Sequence, residues 1–388
     1  MLYMKRHSLI AALFVLLPPL SYAQSGSILV GGLERTYTLR LPGSYAPSQP
    51  MPLVVAMHGG FGSGTQLENQ SQLTAKAEEE GFIVVYPDGA QTGILNIRTW
   101  NAGGCCGGAM NNNIDDVGFI DALLDRLIQE NNIDTTRIYA TGMSNGGFMS
   151  YRLACELSHR IAAIAPVAAS MTIAQCQPER AVPVIAIHSY LDESVPYLGG
   201  IGSGVSNHYN SPLDSVLNAW ATHADCTVLN DTVVFDTVLT HILWSDCACN
   251  TTMELYLTRD GGHSWAGATQ GTPIGDPPST TVSANALMWQ FFQQYSLECV
   301  ISTGLVENTS PLIVHAFPNP TNGFLNLEGA AMRSVSVIDA TGRTVLMRPT
   351  RNMDRVTLDL QHLPPGFYTA NVLLATGDRH SNRVVLLR

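Results

Sequence analysis

Apolar positions over the first three quarters of the chain follow two patterns in turn. Leu53-Val54-Val55-Ala56-Met57, Phe82-Ile83-Val84-Val85-Tyr86 and Val184-Ile185-Ala186-Ile187-His188 are unbroken apolar runs, the mark of strands covered on both faces. Between them, Leu67 to Glu80, closed by Gly81, reads as a helix. Asp116 to Glu130 places Val117, Ile120, Leu124, Leu127 and Ile128 on one face, so it predicts an amphipathic helix. Ile138-Tyr139-Ala140 predicts a strand, Met253 to Leu257 the last clear one, and Ser283 to Tyr295 a closing helix with Ser283 as N-cap. This alternation predicts an α/β fold with a mainly parallel sheet covered by helices. Past Cys299 the pattern changes. Residues 301–312 read as a polar linker. From 313 to 388, short alternating runs such as Val335-Ser336-Val337-Ile338 are separated by turn signals such as Pro364-Pro365-Gly366. These predict a small C-terminal all-β sandwich domain.

The stretch Arg137 to Ser150 carries the strongest chemical signal. An apolar strand runs into Gly142-Met143-Ser144-Asn145-Gly146, and Phe148, Tyr151, Leu153 and Ala154 follow at helical spacing. Strand, Gly-x-Ser-x-Gly and helix together predict a nucleophile elbow, where the sharp turn needs small residues two before and two after the serine. A serine hydroxyl needs a base, and the base needs an orienting group. In elbow hydrolases the chain order is serine, acid, histidine. Asp192 lies in the loop past the strand ending at His188, and His263 lies in the loop Asp260-Gly261-Gly262-His263-Ser264-Trp265 past the last strand. Both loops leave the carboxyl edge of the sheet, where α/β proteins place their sites. Glu193, Asp115, Asp116 and Asp260 compete with Asp192 as the acid; Asp115 and Asp116 read better as the N-terminal cap of their helix. An oxyanion needs backbone donors. The amides of Asn145 and Gly60, the latter within His58-Gly59-Gly60-Phe61-Gly62, are the candidates, with His58 a structural hydrogen-bonding residue. Trp100, Asn101 and Trp265 are candidates to line the substrate cleft, packing beneath loops being the other reading.

Composition narrows the setting. Lys5, Arg6 and His7 precede the apolar run Leu9 to Leu17, and Ser21-Tyr22-Ala23 offers small residues for cleavage after Ala23. Residues 1–23 therefore read as a signal peptide rather than a membrane span, which needs about 20 apolar residues. A net charge of -11 argues against a nucleic-acid partner. Eight cysteines in an exported chain predict disulfides. The adjacent Cys105 and Cys106 are expected to reach distant partners, with Cys155 and Cys176 as candidates. Cys226 is expected to pair with Cys247 or Cys249. No Cys/His spacing resembles a zinc site, so no metal or cofactor is expected.

Several motifs carry a resemblance. They are Val54-Val55-Ala56-Met57-His58-Gly59-Gly60, Val84-Val85-Tyr86-Pro87-Asp88-Gly89, Trp100-Asn101-Ala102-Gly103-Gly104-Cys105-Cys106-Gly107, the elbow at Ser144, Tyr151-Arg152-Leu153-Ala154-Cys155-Glu156 and Gly262-His263-Ser264-Trp265. Residues from about 30 to 297 resemble the secreted esterases grouped with poly(3-hydroxybutyrate) depolymerases and feruloyl esterases, which sets the expected esterase domain at residues 24–300. That implies an α/β-hydrolase fold, a Ser144–His263–Asp192 triad, no metal, and an ester substrate that is either polyester or a feruloyl or acetyl ester of plant polysaccharide. The family usually has His-Gly-x-x-Asp where this chain has His188-Ser189-Tyr190-Leu191-Asp192. Phe317-Pro318-Asn319-Pro320-Thr321-Asn322-Gly323 and Leu363-Pro364-Pro365-Gly366-Phe367-Tyr368 make residues 313–388 resemble the sorting domain of the type IX secretion system. That implies export through the periplasm to the extracellular space or outer cell surface, with the secretion machinery as a partner and no transmembrane segment. Two rival functions are a surface-displayed binding protein with an inactive hydrolase fold and a serine peptidase.

Overall fold

The computed structural model describes residues 22–173, 175–204, 207–235, 237–271, 275–298, 314–339, 343–375 and 379–387. The expected signal peptide up to residue 21, the linker 301–312 and Cys299 lie outside these residues. Contacts divide the chain into two compact units, Met1–Ile301 and Ser302–Arg388.

The first unit is built on a ten-stranded sheet. Its strands are β1 (Tyr22–Val30), β2 (Leu33–Leu41), β3 (Met51–Met57), β4 (Ile83–Pro87), β5 (Ile133–Met143), β6 (Ala163–Val167), β7 (Val184–Ser189), β8 (Val228–Phe235), β9 (Leu239–Ser245) and β10 (Met253–Thr258). They lie in the order β1-β2-β4-β3-β5-β6-β7-β10-β9-β8. The six central strands, β4 to β10 in that order, are all parallel. Antiparallel pairs extend both edges. Helices α1 (Gly64–Ser71), α2 (Leu73–Glu80), α3 (Gly107–Asn111), α4 (Asp116–Glu130), α5 (Asn145–Glu156), α6 (Leu213–His223) and α7 (Ala284–Phe292) complete the unit. Alternate residues of β3 enter different cores: Leu53, Val55 and Met57 pack on one face, and Val54 and Ala56 on the other. That is why its sequence is apolar without alternation. This is the α/β-hydrolase arrangement expected from the sequence.

Local signals explain several helix ends. Asp115 caps α4 by accepting from Gly118 N at 2.8 Å, and the Ser283 side chain caps α7. The helix expected over Leu67 to Glu80 is two helices. Gln72, at φ 55°, closes α1 through its N–H to Glu68 O, and Asn285 donates to Ser71 O at 2.7 Å, holding the break. Glycine is required at the elbow. A Cβ on Gly146 would overlap the carbonyl of Met57, and one on Gly142 would overlap the backbone of Gly146.

The second unit is all β, with strands β11 (His315–Phe317), β12 (Phe324–Asp339), β13 (Thr344–Asp359), β14 (Gly366–Leu374) and β15 (Arg379–Leu386). They join in one antiparallel sheet. The first part of β12 pairs with β11 and the later part with β14, while β13 runs along both. Leu325, Leu327, Val335, Val337, Val372 and Val384 share one core, so the sheet curls around it.

Gly146→Ala should lower the Tm of the first unit by more than ~3 °C, because the added methyl meets backbone that cannot rotate away. Gly60→Ala, where nothing lies within 4 Å of the new Cβ, should leave Tm unchanged. Thermal melts of both variants beside the parent protein check this.

Candidate active site

β5 delivers Ser144 to the carboxyl edge of the sheet, and α5 begins at the next residue. Ser144 sits at φ 54°, ψ -123°, a backbone region costly for a residue with a Cβ. It is held there by its own N–H to Val167 O at 2.9 Å and by Phe148 N donating to its carbonyl at 2.9 Å. The first turn of α5 leaves unsatisfied N–H groups and the positive end of the helix dipole beside the hydroxyl.

The loop after β7 carries Asp192, a buried carboxylate with both oxygens engaged. Oδ1 accepts from Ser194 N at 2.9 Å and Val195 N at 2.8 Å, and Oδ2 accepts from His263 Nδ1 at 2.8 Å. Burial opposes its charge, but the hydrogen bond and charge of His263 and the charge of His188 outweigh it and hold the carboxyl below the usual carboxylate range. His188 Nε2 donates to Val195 O at 2.8 Å and closes the same loop. Burial keeps His188 below its ordinary pKa. With Nδ1 of His263 given to Asp192, Nε2 is the nitrogen left to take a proton. The structure therefore brings Asp192 and His263 together across 71 residues of sequence, while neighbouring Glu193 is exposed. Asp260 serves its own loop. It accepts from Ser279, Thr280 and Thr281, and these bonds overcome burial and lower its pKa to about 2.

Asp276 is a residue that sequence reasoning did not find. Its Oδ2 accepts from the backbone N of His263 at 2.7 Å, fixing the loop that presents the imidazole. It lies in the polar segment Gly275-Asp276-Pro277, where no pattern marks it. Phe61 and Leu191 are 49% and 55% exposed. They are large apolar side chains on the loops that carry Gly60 and Asp192.

The loop after β3 carries Gly60. Gly89 N donates to His58 Nε2 at 2.9 Å, so Nδ1 bears the ring proton and donates to Gly59 O at 2.6 Å. A carbonyl and the next N–H point opposite ways across a trans peptide. Holding Gly59 O thus orients the Gly60 amide. Burial lowers the pKa of His58 to about 4, so it stays neutral at ordinary pH.

Residues 35–176 match the family model for esterase PHB depolymerase. Residues 315–386 match that for the secretion system C-terminal sorting domain. These two matched segments are therefore similar to the esterase and to the sorting-domain families respectively. Among curated proteins, the chain is 32% identical over 200 residues to feruloyl esterase B of Piromyces equi, covering 50% of this chain and 36% of that protein. It is 29% identical to a bifunctional acetylxylan esterase/xylanase of Neocallimastix patriciarum, covering 43% and 22%. It is 27% identical to feruloyl esterase C of Emericella nidulans, covering 66% and 83%. The chain thus spans about a third or less of the first two of these relatives.

The three residues expected at the cleft are all buried. Trp100 is 0% and Trp265 1% exposed. Trp265 Nε1 donates to Asn285 Oδ1 at 3.0 Å, and Asn101 Nδ2 donates to Ile114 O at 3.0 Å. Their side-chain polar atoms are engaged inside the protein. Asp116, read beside Asp115 as a cap, is instead buried and paired with Arg35 at 2.6 Å. Cys105 and Cys106 are bonded to each other, and Cys155 to Cys176. This overturns the expectation of distant partners. Cys155 and Cys176 have Cα atoms 5.3 Å apart, ideal for each other. Cys226 pairs with Cys247. Both sulfurs of the adjacent pair and a ring nitrogen of His208 lie within 4.8 Å of one another, but sulfurs joined in a disulfide are not the thiolates a metal requires.

Asp192→Asn should lower kcat on an ester by about 10³–10⁴ with KM little changed, because an amide N–H competes with the His263 Nδ1–H for the same position. Steady-state kinetics check this. His58 predicts a pH effect of definite sign. Its folded pKa of about 4 lies below the ordinary 6.5, so the unfolded chain binds the extra proton between these values. Stability is full above about pH 6.5 and falls as the pH drops toward about 4. In urea titrations at pH 7 and 4.5, His58→Gln should show a smaller difference than the parent protein.

Proposed function

We propose that the first unit is a serine carboxylic-ester hydrolase working through an acyl-enzyme. The observation that carries this reading is the bond from His263 to buried Asp192 on the sheet edge where strained Ser144 opens a helix. Ser144 attacks the ester carbonyl while His263 Nε2 takes its proton. Asp192 holds the imidazole in the right tautomer and balances its charge. The amides of Asn145 and Gly60 receive the oxyanion. His263 returns the proton to the leaving alcohol, and water then cleaves the acyl-enzyme by the reverse path.

The substrate class is either a feruloyl or acetyl ester of plant polysaccharide or an aliphatic polyester. The names of the curated relatives support the first, and the matching family description supports the second. The tail reads as an address for the type IX secretion machinery, which would take the enzyme out of the cell or onto its outer surface. No helix among the described residues is long and apolar enough to cross a membrane.

Purified protein should release acid from methyl ferulate, an acetylated xylan or a poly(3-hydroxybutyrate) film, and Ser144→Ala should lose at least ~10³ of that rate. Turnover of film alone assigns the polyester, and turnover of the sugar-wall esters alone assigns the polysaccharide role. A Ser144→Ala protein that keeps full activity would overturn the mechanism.

A further inference from the structure

The two oxyanion donors of that reading follow neighbouring strands, Asn145 at the start of α5 after β5 and Gly60 in the loop after β3. Strand pairing and the close approach of Met57 to Gly146 bring the two segments together, and hydrogen bonds that join them set their finer spacing. One residue touches both sides. The backbone N–H of Trp100 donates to Asn145 Oδ1 at 2.7 Å, and its carbonyl accepts from Asn145 Nδ2 at 2.9 Å. Its indole Nε1 donates to the carbonyl of His58 at 2.9 Å, two residues before Gly60. We propose that Trp100 is a positioning residue that sets the spacing between the two backbone donors. This rests on the ester-hydrolase reading of the same site.

The surroundings make Trp100 a stiff spacer. Its carbonyl also accepts from Cys106 N at 3.1 Å. At the next residue, Asn101 N donates to Asp116 Oδ2 at 2.7 Å and Asn101 O accepts from Arg152 Nη1 at 2.6 Å. Asp116 is locked by Arg35, and both side chains are buried. All four backbone polar groups of Trp100 and Asn101 are therefore bonded to groups outside the dipeptide, so the segment cannot shift without breaking several bonds. The indole lies between the His58 ring, 5.2 Å away, and the Phe119 ring, 6.4 Å away, and has no room to turn. Full burial rules out direct contact with substrate. Oxyanion donors act only when about 2.7–3.1 Å from the developing charge, and a shift of about 1 Å can cost about 10² in rate. A brace on both donors is therefore a kinetic device even though it never meets the substrate.

Trp100→Phe keeps an aromatic ring while removing the Nε1–H, along with part of the buried ring volume, which the Tm reports separately. With the full-length protein and an activated ester, kcat should fall about tenfold while KM stays within about twofold. The rate of irreversible labelling of Ser144 by a fluorophosphonate should fall by the same factor. Asn145→Ala cuts the other grip and should give the same split. The double variant should lose less than the product of the two single losses, since both relax one spacing. A Trp100→Phe protein with a lower Tm but unchanged kcat would overturn the brace, as would a raised KM at unchanged kcat. If that variant fails to fold, Asn145→Ala decides by the same two readouts. A parent protein that the fluorophosphonate does not label would sink the underlying reading itself. Labelling of the parent with no loss in either variant would sink only the brace.

Discussion

The site depends on a backbone constraint at one residue. Ser144 must hold a left-handed conformation at the point where a buried parallel strand turns into a helix. Hydrogen bonds to Val167 and Phe148 and the close passage of Met57 over Gly146 hold it there. That passage admits no side chain, so the same crowding that strains the serine also brings the loop after β3 against it. A Cβ on Gly59 would lie 3.5 Å from that of Ser144. Ser144 and the loop that carries Gly60 are thus brought together by one steric fact.

Around that point, buried polar groups are satisfied in a way that orients them. Asp192 spends one oxygen on the backbone of its own loop and the other on His263. His58 spends both ring nitrogens on backbone, one on Gly59 of its own loop and one on Gly89 after β4. Each would be costly if left unpaired at such burial, and each pairing fixes the direction of the group it holds. These paired groups at Asp192 and His58 are what hold the two loops in place.

The elbow was legible in the sequence because crowding at Gly142 and Gly146 leaves a direct mark on residue type. Asp192 and His263 were legible from chain order and from their places after strands, since a parallel sheet sends those loops to one edge. The caps at Asp115 and Ser283 were read correctly for the same reason: a capping side chain acts within three residues of its partner. What escaped was set by partners far apart in the chain. Trp100 in a glycine-rich loop looks like a rim residue until Asn145, 45 positions on, takes its backbone. Asp276 reaches His263 from a segment with no pattern. The break at Gln72 depends on Asn285, 214 residues from its acceptor. The antiparallel strands at both sheet edges are partly exposed and carry a weak apolar signal, so they were not read. The pairing of Cys105 with Cys106 was missed because adjacency argues against it, whereas Cys155 and Cys176 meet in space.

The most direct test of the whole arrangement is a crystal structure of the protein after reaction with a fluorophosphonate ester. The phosphorus should be bonded to Ser144 Oγ, with its phosphoryl oxygen about 2.7–3.1 Å from the amide nitrogens of both Asn145 and Gly60. A phosphoryl oxygen turned to solvent, or an adduct on any other residue, would contradict the account.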